Sequence, residues 1–223
     1  EALYDKIFDK VIFTGKAEIM EVRRIPTYGM ASNCYVISDG RESAVIDPSA
    51  KLEYITAALA DAGTKLKYIL LTHGHTKSLT KLREATGAEV CVHADDDEML
   101  SDSDKNAYSL FNAGTQNAKS ADILLHDGDR LKIGSAAVTV IHTPGHSKGS
   151  VCYQTGHDLF TGDTLFLDSV GRTDFYGSSA EALSHSLKRL TDLPGDYTVY
   201  PGHGESTSLE RERQHNPYLK CID

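Results

Sequence analysis

Lys67-Tyr68-Ile69-Leu70-Leu71-Thr72-His73-Gly74-His75 runs from an apolar, β-prone segment straight into a glycine turn flanked by two histidines. An apolar run of this length, stopped by glycine, suits a buried strand. In extended chain, residues i and i+2 point the same way, so the H-x-H spacing can chelate one ion. The same design recurs three times: Ile141-His142-Thr143-Pro144-Gly145-His146, Phe160-Thr161-Gly162-Asp163 and Tyr200-Pro201-Gly202-His203-Gly204. In each, a strand ends, a glycine turn follows, and an imidazole or carboxylate sits at the turn. Ligands at the ends of adjacent strands can converge on one point while the sheet fixes their backbones. Imidazoles with one carboxylate suit zinc or a similar divalent ion. The candidate ligands are therefore His73, His75, His142, Asp163 and His203. His146 shares a turn with His142 and reads as a loop-shaping residue. His93, His126, His157, His185 and His215 read as ordinary hydrogen-bonded or surface residues.

Outward from these turns, the first half alternates strands and helices. Residues 17–23, 34–37, 43–46, 67–72 and 89–93 read as strands. Residues 51–62 place Leu52, Ile55 and Leu59 on one helical face, with Gly63 as a stop; Leu79, Leu82 and Ala85 mark a second helix closed by Gly87. In the second half, 130–133 and 136–141 form a hairpin through Gly134-Ser135, and 150–153, 158–161 and 197–200 are further strands. Ser178-Ser179-Ala180-Glu181 fits an S-x-x-E capping box ahead of Leu183, Leu187 and Leu190. The layout predicts two packed sheets with outer helices in a single domain over residues 1–223. Residues 95–120 read as an insertion over one edge, with Asp95-Asp96-Asp97-Glu98 a helix start or solvated face.

Composition sets the limits. The chain has 223 residues, Lys+Arg 23 against Asp+Glu 32, a net charge of −9 and 40% hydrophobic residues. That is ordinary for a globular protein and argues against a nucleic-acid scaffold, whose affinity rests on Lys and Arg. No run approaches the roughly 18 apolar residues of a membrane span, and the first ten residues lack a signal peptide's apolar stretch. Cys34, Cys91, Cys152 and Cys221 form no C-x-x-C pair and read as reduced thiols of a cytoplasmic protein. Gly145-His146-Ser147-Lys148-Gly149 matches G-x-S-x-G, but a strand follows where a nucleophile elbow needs a helix. Residues 102–113 begin like a calcium loop but lack its glycine and final glutamate.

Taken together, T-H-G-H after I-L-L, H-T-P-G-H-S-K-G-S, F-T-G-D-T-L-F and Y-P-G-H-G resemble the metallo-β-lactamase superfamily. The branch they look most like is hydroxyacylglutathione hydrolase and its short bacterial relatives. Asn33-Cys34-Tyr35, Ala44-Val45-Ile46-Asp47-Pro48 and Gly171-Arg172-Thr173-Asp174 support the likeness, which covers nearly the whole chain. The resemblance implies a four-layer αββα sandwich of two mixed β-sheets with outer helices. It implies a first metal on residues matching His73, His75 and His142, with Asp163 bridging and His203 in a second site. Asp47 matches a buried aspartate that braces the metal loops.

One departure bears on metal count. The family pattern H-x-H-x-D-H is here His73-Gly74-His75-Thr76-Lys77-Ser78, so the Asp-His pair of the second site is absent. The following tract also looks shortened. With only Asp163 and His203 left for a second ion, one bound divalent metal is expected, zinc first, with iron or manganese as alternatives. The implied activity is hydrolysis of a thioester or ester small molecule by metal-activated water, with Asp163 and His142 catalytic. Arg172 and Tyr176 are the candidate substrate contacts. Two other readings remain: a mononuclear iron enzyme that oxygenates persulfides, and a non-catalytic binding protein that keeps the fold.

Overall fold

The computed structural model describes residues 20–27, 32–75, 79–106 and 118–221. Expected strand residues 17–19, the tract 76–78 and most of the expected insertion beyond 106 lie outside them.

The first sheet has the order β1 (Glu21–Ile25), β2 (Cys34–Ser38), β3 (Glu42–Ile46), β4 (Lys65–Leu70), β5 (Glu89–His93) and β6 (Ile123–Leu125). β1, β2 and β3 pair antiparallel; β3 to β6 pair parallel. Parallel neighbours need long crossovers. α1 (Leu52–Ala62) and α2 (Leu79–Thr86) supply two of them, and a 3-10 turn, Ala94–Asp96, with α3 (Asp97–Ser101) opens the third. The chain then runs through β7 (Arg130–Ile133), β8 (Ala136–His142), β9 (Val151–Thr155) and β10 (Asp158–Gly162). A small ribbon of β11 (Leu165–Phe166) and β12 (Ser169–Val170) follows, then α4 (Ala180–Thr191), β13 (Thr198–Pro201), β14 (Thr207–Ser208) and α5 (Leu209–His215). The second sheet has the order β14-β13-β10-β9-β8-β7, with only β10 and β13 parallel, across α4.

Strand alternation builds the layers. On β2, Tyr35 and Ile37 face the second sheet and join Ile46, Leu70, Val138, Val140, Tyr153 and Phe160 in a core between the sheets. Cys34 and Val36 face the other way, with Val45, Ile69 and Val90, onto Ile55 and Leu59 of α1 and Leu79 and Leu82 of α2. Ile141, Cys152, Leu159 and Val199 cover the outer face of the second sheet under Leu183, Leu187 and Leu190 of α4. The result is the expected αββα sandwich. Cys34, Cys91 and Cys152 are buried free thiols packed as small hydrophobes. Among the described residues no helix is long and apolar enough to cross a membrane.

Three local expectations change. The cap of α4 is Ser179, which accepts from the Ala182 N–H; Ser178 instead donates to the Phe175 carbonyl. β4 begins and ends two residues earlier than the apolar run suggests, so Leu71 to His75 leave the sheet as a loop. β6 becomes a strand only by pairing with β5, and α5, capped by Ser208 at the Arg211 N–H, adds a helix beyond the expected elements.

Candidate metal centre

Four strand ends meet at one edge of the two sheets: the loops after β4, β8, β10 and β13. They bring together His73, His75, His146, Asp163 and His203. One ligand atom from each of His73, His75 and His146 lies within 4.8 Å of the others. His75 Nδ1 is 3.0 Å from His146 Nε2, and Asp163 Oδ2 lies 3.5 Å from both His146 Nε2 and His203 Nε2.

His142, expected as the third imidazole, is not there. It is still in β8, paired with Val151, and strand parity turns its ring to the face that Val138 and Val140 share. Its ring stacks on His93 at 4.0 Å between centroids, and its Nε2–H donates to the Lys148 carbonyl at 2.9 Å. The turn 143–145 carries the chain across the sheet end and delivers His146 instead. Gly145 makes that turn at φ 146, where side chains are rarely tolerated. His146, expected only to shape the loop, is buried in the cluster.

The neighbours fix each ring. Asp47 accepts from the Thr72 N–H (2.8 Å) and hydroxyl (2.6 Å), and Thr72 Oγ1 lies 2.9 Å from His73 Nδ1. The single hydroxyl proton goes to Asp47, so His73 Nδ1–H donates to Thr72 and Nε2 is left as a lone pair. The Arg172 carbonyl can only accept, so His146 Nδ1–H donates to it at 2.9 Å and His146 Nε2 is likewise a lone pair. Ligating histidines commonly give their other N–H to such partners. Burial, and then its imidazole neighbour His146, hold His75 down to about 4, against the pull of Asp163; burial also holds His73 well below its usual value. Both rings are therefore neutral at pH 7, as ligands must be. Burial alone would raise the Asp163 carboxyl, but the His203 hydrogen bond and the imidazoles of His73, His146 and His203 outweigh it and hold Asp163 below the usual carboxylate range. Asp47 behaves oppositely: burial pushes it up to about 7 in spite of its Thr72 hydrogen bonds.

Two buried polar atoms here, His75 Nε2 and Asp163 Oδ1, have no hydrogen-bond partner among the described residues. Buried polar groups are rarely left so. With two fixed imidazole lone pairs beside them and an ionised carboxylate, the donor set fits a divalent cation.

The acidic run 95–98, expected as a helix start or solvated face, does open a helix, but Asp96 within it is fully buried. Its Oδ2 accepts from the Gly74 N–H (2.8 Å) and the Ser147 hydroxyl (2.6 Å), and its Oδ1 accepts from the Gly149 N–H (2.7 Å). It thus ties the loop of His73 and His75 to the loop of His146. Both glycines are needed for the approach: a Cβ on Gly149 would come 2.7 Å from the Asp96 N, and one on Gly74 2.6 Å from the Met99 Cβ. In the sequence Asp96 is indistinguishable from its acidic neighbours Asp95, Asp97 and Glu98. Asp96→Ala would strand two buried N–H donors, each costing about 1–3 kcal/mol, while the Ser147 hydroxyl keeps Ser150 Oγ at 2.7 Å. A loss of at least ~2 kcal/mol, seen as a melting temperature lower by about 4–8 °C, is expected. An unchanged melt would show the bracket to be dispensable.

Arg172 and Tyr176 stand on the loop after Asp163. The Arg172 guanidinium pairs with Asp174 and lies 4.1 Å over the Phe175 ring, which itself packs 5.5 Å from His75. The Tyr176 hydroxyl donates to Glu98 at 2.9 Å, and the ammonium groups of Lys105 and Lys148 lie 5.3 and 5.4 Å from its ring. The loop therefore forms an aromatic wall lined by paired charges and joined through Phe175 to the imidazoles. Phe175 carried no recognisable signal in the sequence.

The sequence model described as Metallo-beta-lactamase superfamily matches residues 27–203. Hydroxyacylglutathione hydrolase GloC of Haemophilus influenzae is 30% identical over 90% of this chain and 98% of its own. BLEG-1, crystallised as a B3 metallo-beta-lactamase, superposes with a TM-score of 0.83 at 34% identity, covering 89% of this chain and 99% of its own. TTHA1623, crystallised in a di-iron-bound form, superposes at 0.76 with 34% identity, over 87% of this chain and 99% of its own.

Proposed function

Because this chain belongs to the metallo-beta-lactamase superfamily, we propose that it is a metal-dependent hydrolase of thioester or ester small molecules, with His73, His75 and His146 holding one divalent ion. The observation that carries the proposal is the meeting of three imidazole nitrogens within 4.8 Å, beside an ionised, buried Asp163. A divalent ion bound there would supply Lewis acidity, polarising a carbonyl and lowering the pKa of water towards roughly 7. The chain's own residues do the rest. Asp47 through Thr72, and the Arg172 carbonyl, hold His73 and His146 in the ligating tautomer. Asp163, whose Oδ1 is buried without a partner among the described residues, would serve as a fourth ligand or accept a hydrogen bond from water there. Phe175 covers one side of the imidazoles, and Arg172 and Tyr176 meet the charged part of the substrate.

One tight ion rather than two follows from the missing Asp-His pair, since Asp163 and His203 alone make a poor second site. Zinc is preferred for an imidazole-rich set; a relative crystallised with iron keeps iron in view. Hydrolysis of a hydroxyacylglutathione thioester is the test. Turnover is expected to vanish when the protein is stripped by chelator and to return with Zn²⁺. Turnover that survives metal removal would sink the proposal, and a second ion held by Asp163 and His203 would sink the single-ion part of it.

The iron reading rests on the same ligands and is separated by a second assay. Oxygen uptake with a persulfide, after loading with Fe²⁺ and in the absence of thioester turnover, would favour it. Absence of both activities and of metal uptake would leave a binding protein.

A further inference from the structure

We propose that the chain carries a second transition-metal site, built by His93, Asp95 and His142 at the outer ends of β5 and β8, that takes Zn²⁺ or another nitrogen-favouring divalent ion. It shares no ligand with the cluster of His73, His75 and His146.

One ligand atom from each of the three residues lies within 4.8 Å of the others, the same closeness as in the catalytic cluster. His93 Nδ1 is 3.7 Å from Asp95 Oδ2. His142 gives its Nε2–H to the Lys148 carbonyl at 2.9 Å, so its Nδ1 is the free lone pair. That is the arrangement in which a backbone carbonyl orients a ligating histidine. Two nitrogens and a carboxylate oxygen, with an open side, match a half-exposed zinc site.

Two adjustments are required, and both are small. The His93 and His142 rings stack nearly parallel, at 10°, whereas ligand lone pairs must converge. The ring torsion of histidine is broad, so a tilt out of the stack costs little. His93 Nδ1 also accepts a 3.2 Å hydrogen bond from the Asp95 N–H, which an ion would replace. The His126 ring lies 6.0 Å from that of His93.

The site lies next to the bracket that holds the catalytic loops. His93 immediately precedes the turn that carries Asp96, and the Lys148 carbonyl precedes the Gly149 N–H that Asp96 accepts. An ion joining His93 to His142 would clamp β5 to β8 at that bracket, so occupancy stabilises the fold without touching the catalytic cluster.

The test uses the full chain with His75→Ala and His146→Ala, which cripple the catalytic cluster. The stripped protein is titrated with Zn²⁺ against a chromophoric chelator. One ion per chain is expected, bound at least tenfold more weakly after Asp95→Asn, an exposed change that leaves the core intact, and lost after His93→Gln. Zn²⁺ should raise the melting temperature of the His75→Ala, His146→Ala protein and not that of the same protein carrying His93→Gln. No uptake in that background, or uptake unchanged by His93→Gln and Asp95→Asn, overturns the proposal. In the otherwise native chain at excess Zn²⁺, Asp95→Asn should lower two bound ions to one while chelator-sensitive hydrolysis remains. If instead His75→Ala and His146→Ala leave the native stoichiometry unchanged while Asp95→Asn lowers it, the catalytic reading fails and the second site stands.

Discussion

His146→Ala is expected to abolish measurable hydrolysis and to weaken metal binding at the centre by more than about 100-fold. Removing outer-sphere partners of a metal site typically costs about 10–100-fold, and this change removes a ligand itself. His146 is the only imidazole from the 143–149 turn in the cluster, 3.0 Å from His75 Nδ1 and 3.5 Å from Asp163 Oδ2. Without it, the proposed ion keeps two of its three imidazole ligands, where a catalytic zinc takes three protein ligands and an open position. His142→Ala is expected to keep the centre's metal and to lose less than about tenfold in kcat/KM, well short of the cost of a lost ligand. The comparison is read from kcat/KM and the Zn²⁺ dissociation constant of the two variants. The opposite ranking would mean that the turn carries His142 to the metal and that the cluster described above is not the working one.

Gly145→Ala is expected to damage the fold and the His146 turn together. At φ 146 an alanine is strained, at about 1–3 kcal/mol. The new Cβ would also lie 2.5 Å from the backbone N and Cα of Leu183. Leu183 sits in the first turn of α4, on the face buried against the second sheet, and its backbone cannot swing aside as a side-chain tip would. Overpacking of that kind adds about 1–3 kcal/mol. The sum, about 2–6 kcal/mol, corresponds to a melting temperature lower by roughly 5–20 °C. Because the Gly145 carbonyl accepts from the Ser179 N–H that begins the helix cap, the helix and the His146 turn should be disturbed together. Thermal unfolding of the metal-free variant isolates this from any loss of ligand. A shift within two degrees of zero would mean that the turn can adopt another path.

How far the sequence could be read depended on how local the determining physics was. α1 was legible because Ile55, Leu59 and a left-handed Gly63 all lie within one short window. The strands β2, β3, β5 and β8 were legible because their β-branched runs are local facts. α4 was legible from its three leucines, but its cap was assigned to Ser178 rather than Ser179, since adjacent serines differ only in which hydroxyl meets the Ala182 N–H. β6 escaped notice because its three residues become a strand only by pairing with β5.

The metal centre shows the same division. His73 and His75 sit two residues apart on one turn, and Asp163 and His203 each follow a strand end and a glycine, so their convergence was readable from local pattern. The order of residues alone determined the αββα layering, through alternating and helical apolar spacing, and the chemical type of the centre, through histidines and an aspartate placed at strand ends. Which histidine of His142-Thr143-Pro144-Gly145-His146 joins the cluster of His73 and His75 was decided only in three dimensions. That outcome depends on where β8 stops, on the strand face to which pairing with Val151 commits His142, and on the unusual Gly145 conformation allowed by the backbone of α4 pressed against it. The role of Asp96 was likewise decided there, because three donors from two distant loops become its partners only when the sheets have packed.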